Sequence, residues 1–312
     1  MRNPTQTDVA RMAGVSRGLV SLALAGRPGV SSATRRRLQD AADRLGYSRD
    51  LSAASLATGS SPVLGIILPN LRNPFFETVV SYLSVAAERV GWLPLVGTAS
   101  DDTRHEEAVL RRFREFRAVG VIVVSPVGDL ESLAALSGPT SPLVLLGAEN
   151  QSGVVPCVHV DEDTAAQLIV EHLGSQGVRR VVSLAEECGS GMVWVLRRRA
   201  ALIAACQSAG IECVPAIVER GEAVAPILAR FIDDALDALS VLRSVGLESR
   251  RWIPVVGFDD THLASRPEFD LTSVNQQPGA LVDVALDMVA GAVRGLDHTV
   301  EPRLVVRSSS KR

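Results

Sequence analysis

The sequence predicts two units of different class: an all-α helix-turn-helix head and a larger α/β core with parallel, doubly wound sheets. Three observations carry this. Short, capped, amphipathic stretches fill the first fifty residues. From Val63 onward, apolar runs rich in Val, Ile and Leu alternate with helical patterns. The charge is also divided unevenly. Residues 1–60 hold nine Arg against four Asp, a net of +5, while the remainder holds 23 basic and 31 acidic side chains, a net of −8. A basic head on an acidic body suits contact with a polyanion, although an arginine-rich face can also be merely solvated.

In the head, Thr5 to Asp8 reads as a capping box, opening a helix whose apolar side is Val9, Ala10, Met12 and Ala13. Gly14 stops it, because glycine accepts positive φ. Ser16 caps a second helix, Arg17 to Leu24, with Val15, Val20 and Leu24 turned inward. Gly26, Pro28 and Gly29 make a loop. Ser31 caps a third helix, Ser32 to Leu45, with Leu38, Ala41, Ala42 and Leu45 on one face, and Gly46 ends it.

Two short helices around a glycine turn, braced by a third, match the helix-turn-helix plan; a generic three-helix bundle is the alternative. In that plan the second helix enters the major groove. Arg17, flanked by Gly18, sits at its start, where two donors reach guanine O6 and N7. The hydroxyls of Ser16, Ser21, Ser31 and Thr34, together with those of Thr5 and Thr7, suit the phosphate backbone.

Residues 47–61 form an Ala- and Leu-rich stretch ending near Gly59, too short for a stable isolated helix. A plain linker and a hinge helix formed only on binding are both open. Beyond it, strands are expected at Val63–Leu68, Leu93–Thr98, Val119–Val124, Leu143–Gly147, Cys157–Val160, Arg180–Ala185, Val214–Val218 and Ile253–Phe258. Their continuous apolar character predicts strands buried on both faces. Helices are expected at Phe76–Val90, Glu106–Ala118, Thr164–Gln176 and Val193–Ala209, and ligands at the carboxyl ends of the strands.

Cys157, Cys188, Cys206 and Cys213 lack Cys-x-x-Cys spacing, so buried apolar roles are expected and neither metal nor cofactor is. His105, His159, His172, His262 and His298 are scattered. The pairs Asp101-Asp102 and Asp259-Asp260 suit caps or turns. No P-loop, G-x-G-x-x-G, G-x-S-x-G or H-E-x-x-H occurs, so an enzyme is not expected. No apolar run is long enough to span a bilayer, and residues 1–8 lack the apolar stretch of a secretory signal; a cytoplasmic protein without a membrane partner is expected.

The segments Asp8-Val9-Ala10-Arg11-Met12-Ala13-Gly14-Val15-Ser16-Arg17-Gly18-Leu19-Val20-Ser21, Val30–Arg35 and Leu45-Gly46-Tyr47 resemble the head of the lac repressor/galactose repressor (LacI/GalR) family. Further segments resemble its periplasmic-binding-protein-like (type I) two-lobed core. These are Leu64–Asn70 with Asn73-Pro74-Phe75-Phe76, Val160–Asp163, Val255–Asp260 and Leu271–Val274. The resemblance implies a head over residues 1–46, a hinge over 47–61 and a core over 62–308. The N-lobe would take 62–160 and 276–302, the C-lobe 161–275 and 303–308, with a final strand Arg303–Arg307. It further implies a transcriptional regulator, usually a repressor, that binds a pseudo-palindromic duplex operator as a homodimer or tetramer. The helix around Phe76–Val90 would be a dimer surface. Tyr47 joins the DNA-contacting set; Leu56 matches a minor-groove wedge and Ala53 a close-approach position. A small-molecule, sugar-like effector would meet Asn73, Phe75, Asn150, Asp161, Arg198 and Gln276, although the run Arg197 to Arg199 also reads as a solvated face.

Several positions depart from the family pattern. Leu22 stands where Arg is usual; it can touch a thymine methyl but cannot read guanine. Ala25 replaces Asn, Arg49 replaces Pro and Ala54 replaces Arg. Phe231 and Ile232 replace an Asn-Asp pair whose Asp holds effector hydroxyls, with Asp233 and Asp234 as displaced stand-ins. The C-lobe near 219–230 is short by roughly twenty residues, about a helix and its connection. A constitutive regulator with a degenerate ligand cleft is therefore the alternative to an effector-controlled one.

Overall fold

The structure, a computed structural model of the 312-residue chain, describes residues 4–24, 28–48, 61–136, 138, 141–149, 153, 155–186, 193–218 and 254–311. They fall into two compact units, one within Met1–Gly59 and one within Ser60–Arg312. Gly26, Arg49, Ala53, Ala54, Leu56, Asn150, Cys188 and the stretch Phe231 to Asp234 lie outside the described residues.

The head contains α1 (Gln6–Ala13), α2 (Arg17–Leu24) and α3 (Ser32–Leu45). Local chemistry sets their ends. The Asp8 carboxylate accepts from the Thr5 N–H at 2.9 Å and from its hydroxyl at 2.7 Å. Gly14 at φ 64° and Gly46 at φ 63° end α1 and α3 in the left-handed region. Val9, Val20 and Leu38 are fully enclosed, with Ala23 and Ala41 packed beside them. Each large side chain of this kind contributes about 1.5–3 kcal/mol by leaving water. Met12, expected inward, is 51% exposed. At 100° per residue it points away from the Val9–Ala13 stripe.

The larger unit opens with a six-stranded sheet in the order β10-β5-β4-β3-β1-β2. These are β1 (Val63–Leu68), β2 (Leu93–Thr98), β3 (Gly120–Val124), β4 (Leu143–Leu146), β5 (Cys157–Val160) and β10 (Asp297–Val300). Every neighbouring pair is parallel. Alternate residues of β1 face opposite layers. Leu64, Ile66 and Leu68 pack on α4 (Pro74–Arg89) and α9 (Pro278–Val289). Ile67 packs with Leu110 and Phe113 of α5 (Thr103–Glu115) and Leu133 of α6 (Leu130–Ala135).

The expectation that all strands are buried on both faces fails at β2, where Leu93, Leu95 and Val96 are exposed in the single chain. Within its sheet β2 is an edge strand, paired with β1 alone.

The second lobe holds β6 (Arg180–Glu186) beside β7 (Glu212–Val218), flanked by α7 (Glu162–Ser175) and α8 (Val193–Ser208). It also holds the order β11-β9-β8, from β8 (Val256–Phe258), β9 (Thr272–Asn275) and β11 (Arg303–Val305). The final strand ends at Val305 rather than Arg307 and runs antiparallel to β9. The Arg307 N–H is instead bonded to the Thr272 hydroxyl at 2.8 Å. Cys157 and Cys206 are buried as expected, but Cys213 is only half-buried. Among the described residues no group of His, Cys, Asp or Glu could hold a metal ion, and no helix is long and apolar enough to cross a membrane.

Candidate nucleic-acid interface and effector cleft

In the head, α2 divides cleanly. Val20 and Ala23 point into the core, whereas Ser16, Arg17, Gly18, Ser21 and Leu22 are exposed. The Ser16 hydroxyl accepts from the Leu19 N–H at 3.3 Å, fixing the start of the helix. Its other end is held by Arg35, whose guanidinium donates to the Ala23 carbonyl at 2.6 Å. Sequence reasoning missed this brace between α3 and α2; an Arg one turn into α3 was its only trace. The Ser31 hydroxyl caps α3 through the Thr34 N–H at 3.2 Å, and Thr5 and Thr7 are exposed at the start of α1. Tyr47 is half-buried and packs on the head's core. An exposed helix start bearing Arg17 and hydroxyls, on a rigid three-helix frame, can present donors to phosphates and base edges.

In the core, the cleft lies at the carboxyl ends of β1, β3, β4 and β5 and meets α8 and β8 of the other lobe. Asn73 caps α4, accepting from the Phe75 N–H at 2.8 Å, and its amide donates to Asp259 at 3.3 Å across the lobes. Phe75 is buried in the wall. Gln276 donates to the other Asp259 oxygen. Asp259, read from the sequence as a cap or turn residue, is thus a cleft carboxylate. Burial pushes its acidity toward the protonated form, and the nearby Arg198 guanidinium opposes this.

Asp161 does not line the cleft. It caps α7, accepting from the Thr164 N–H at 2.9 Å and the Thr164 hydroxyl at 2.8 Å. The residue beside it, Glu162, is the one that enters. Arg198 donates from Nε to both Glu162 oxygens, at 3.1 and 3.0 Å, and from Nη2 at 2.8 Å. Its guanidinium carbon sits 3.4 Å from the Phe258 ring centroid and 5.7 Å from that of Trp194. Arg197 is no solvated residue either. Its Nε meets Glu149 at 2.7 Å, and its two terminal nitrogens meet Asp163 at 3.0 and 2.6 Å. Those carboxylates hold the Arg197 guanidinium still more firmly in its charged form. The open volume left in the cleft is about 50 Å³.

The loop after β3 forms another part of this wall. Glu106 is fully enclosed and accepts from the Val127 N–H at 3.0 Å and the Gly128 N–H at 2.7 Å. Burial raises its pKa, and the two backbone bonds partly offset the rise. Ser125, at φ 48°, lines the cleft from the same loop.

Together these features define a class: a DNA-reading helix-turn-helix unit followed by a two-lobed α/β unit with a cleft between its lobes. Residues 5–50 match the model of "Bacterial regulatory proteins, lacI family". Residues 61–233 match "Periplasmic binding proteins and sugar binding domain of LacI family", and residues 170–310 match "Periplasmic binding protein-like domain". The chain belongs to the LacI family and is a helix-turn-helix transcriptional regulator. It is 28% identical to the HTH-type transcriptional regulator reg1 of Streptomyces lividans, with 97% of this chain and 95% of that one covered. It is 25% identical to the HTH-type transcriptional repressor CytR of Escherichia coli (strain K12), with 98% and 96% covered. The lac repressor dimer bound to operator and the anti-inducer ONPF has the same fold. Its TM-score is 0.83 at 20% identity, with both chains covered completely.

Proposed function

We propose that the protein is a repressor that binds a pseudo-palindromic operator as a homodimer, with the cleft as its regulatory site. The exposed start of α2, carrying Ser16, Arg17, Gly18, Ser21 and Leu22, supports the first part. One such helix makes too few contacts for tight specific binding, so two heads on a two-fold site are needed. The outer face of α4 and the edge strand β2 support self-association, because Tyr82, Val85, Val90, Leu93 and Val96 are exposed there. The solved lac repressor relative is a dimer on its operator. Ala53 and Leu56 would enter the minor groove from the hinge. An effector would meet Asn73, Phe75, Arg198 and Gln276, with Asn150 and Asp161 as the remaining sequence candidates; Asp161 would act only by capping α7.

The second reading is a regulator that needs no diffusible ligand. One observation favours it: the hydrogen-bonding side of Arg198 is engaged by Glu162 and little open volume remains.

Selection of bound duplexes from a random pool, followed by competition at increasing salt, tests the DNA reading. The expected result is an inverted repeat bound with an affinity that falls steeply as salt rises. Binding no tighter than to random competitor, with the fold intact, would refute it.

A further inference from the structure

Arg197 reaches across the cleft. It stands on α8 in the second lobe, and its Nε lies 2.7 Å from a carboxylate oxygen of Glu149. Glu149 follows β4 in the first lobe, and both residues line the cleft.

The guanidinium is prepared for this reach by its own lobe. Asp163, in the first turn of α7, accepts from Nη1 at 3.0 Å and from Nη2 at 2.6 Å. A two-point grip on the planar fork fixes its plane and leaves the Nε edge to Glu149. The rotamer freedom of a long arginine is thereby lost within the second lobe already. Forming the cross-lobe pair then orders less than it would with an untethered side chain. The side chains of Arg197 and Glu149 are 27% and 26% exposed, against 63% for Asp163. The cross-lobe pair is the more enclosed of the two, so salt screens it less than a pair on the open surface.

A second contact joins the lobes beside a chain crossover. Asn73 donates to Asp259 at 3.3 Å, and Asp259 also accepts from Gln276, which lies between β9 of the second lobe and α9 of the first. That contact ties the lobes where the backbone already links them. Glu149 is separated from the crossover at Asp161 by β5, and Arg197 by α7 and β6. Their ion pair therefore adds a link that the backbone does not supply.

We propose that Glu149 and Arg197 form a latch that holds the two lobes closed over the cleft, with Asp163 as the residue that positions it. An effector that opens the cleft must break this ion pair, so the pair sets how readily the site responds. This rests on the reading of the cleft as the regulatory site and identifies what keeps that site shut.

The test uses the full chain and its Glu149→Ala, Arg197→Ala and doubly substituted variants. Radius of gyration by small-angle scattering reads lobe opening, and circular dichroism reads helix content. Each single variant is expected to have a larger radius than wild type at unchanged helix content. The double variant should expand no further than the singles, because both substitutions remove the same link. Raising sodium chloride from about 0.1 M to about 1 M shrinks the screening length from about 10 Å to about 3 Å. The wild-type chain should expand over that range, whereas Glu149→Ala should not. The wild-type salt series decides the question if a variant loses helix.

A Glu149→Ala radius equal to wild type at low salt overturns the proposal. So does a double variant that expands by the sum of the two single effects, or a wild-type radius indifferent to salt. Affinity for a selected duplex is measured on the same proteins. An expanded Glu149→Ala with wild-type duplex affinity upholds the latch and removes the regulatory reading of the cleft. Unchanged radii remove the latch alone, whatever the affinity.

Discussion

Replacing Glu106 with Ala is expected to destabilise the core by about 2–4 kcal/mol and to loosen one wall of the cleft. The carboxylate is fully enclosed, and its two oxygens accept from the Val127 and Gly128 N–H groups at 3.0 and 2.7 Å. Removing it leaves two buried donors without an acceptor, at about 1–3 kcal/mol each. Against that loss stands the relief of a carboxylate that burial disfavours, which brings the net to the lower half of the summed range. Gln is no substitute, because its amide would turn a donor toward one of the two N–H groups.

The sign of the pH dependence follows from the raised pKa. A carboxyl whose folded value lies above its unfolded value contributes fully below the unfolded pKa and loses that contribution as pH rises through the folded one. The gap between wild type and variant should therefore be widest near pH 4 and should narrow toward pH 8. Urea unfolding at several pH values measures it, with the slope checked for constancy. A loss below about 0.5 kcal/mol at every pH would refute the claim that this carboxylate holds the loop. A gap that widens with pH would refute the assigned shift.

Arg17→Ala should weaken operator binding by about 1–3 kcal/mol and relax specificity at one base pair, read by anisotropy against a set of single-substituted duplexes. Arg35→Ala removes the 2.6 Å bond to the Ala23 carbonyl; it should destabilise the head by about 1 kcal/mol and lower DNA affinity without altering base preference, measured by the same titrations. Gly120→Ala would place a Cβ 2.4 Å from a methyl of Val289 and 3.3 Å from the Pro142 carbonyl; a loss of about 1–3 kcal/mol from overpacking should appear in the unfolding midpoint. Burial pushes the thiols of Cys157 and Cys206 up to about 12, so iodoacetamide at pH 8 should modify neither until the chain is unfolded, as peptide mass mapping would show.

Much of the head was legible because its signals are local. A cap, a glycine and an apolar stripe lie within one helix, so the bounds of α1, α2 and α3 follow from the residues that terminate them. The error at Met12 arose because an apolar residue next to a stripe can still fall outside it. In the core, seven of the eight expected strands were legible to within a residue or two, since a parallel strand buried on both faces is written as a continuous apolar run, whereas β8 is shorter than expected and the short β9 and half-exposed β10 were not expected as strands. Pairing order and the exposure of β2 were not, because an edge strand and a central strand share that composition.

The cleft shows where the two levels part. The family resemblance in the sequence implied that Asn73, Phe75, Arg198 and Gln276 meet an effector, and all four line the cleft. Among Asp161, Glu162 and Asp163, whose adjacent carboxylates are alike in charge, it chose Asp161, whereas Glu162 is the one that lines the cleft. On a helix start their directions differ by about 100° per residue, so one becomes the cap, one turns inward to Arg198 and one meets Arg197 at the rim. Only the tertiary structure, which brings α8 and β8 against the start of α7, decides which carboxylate meets which cation. Charge pairing depends on distances in space between segments far apart in the chain, and spacing along the chain does not record them.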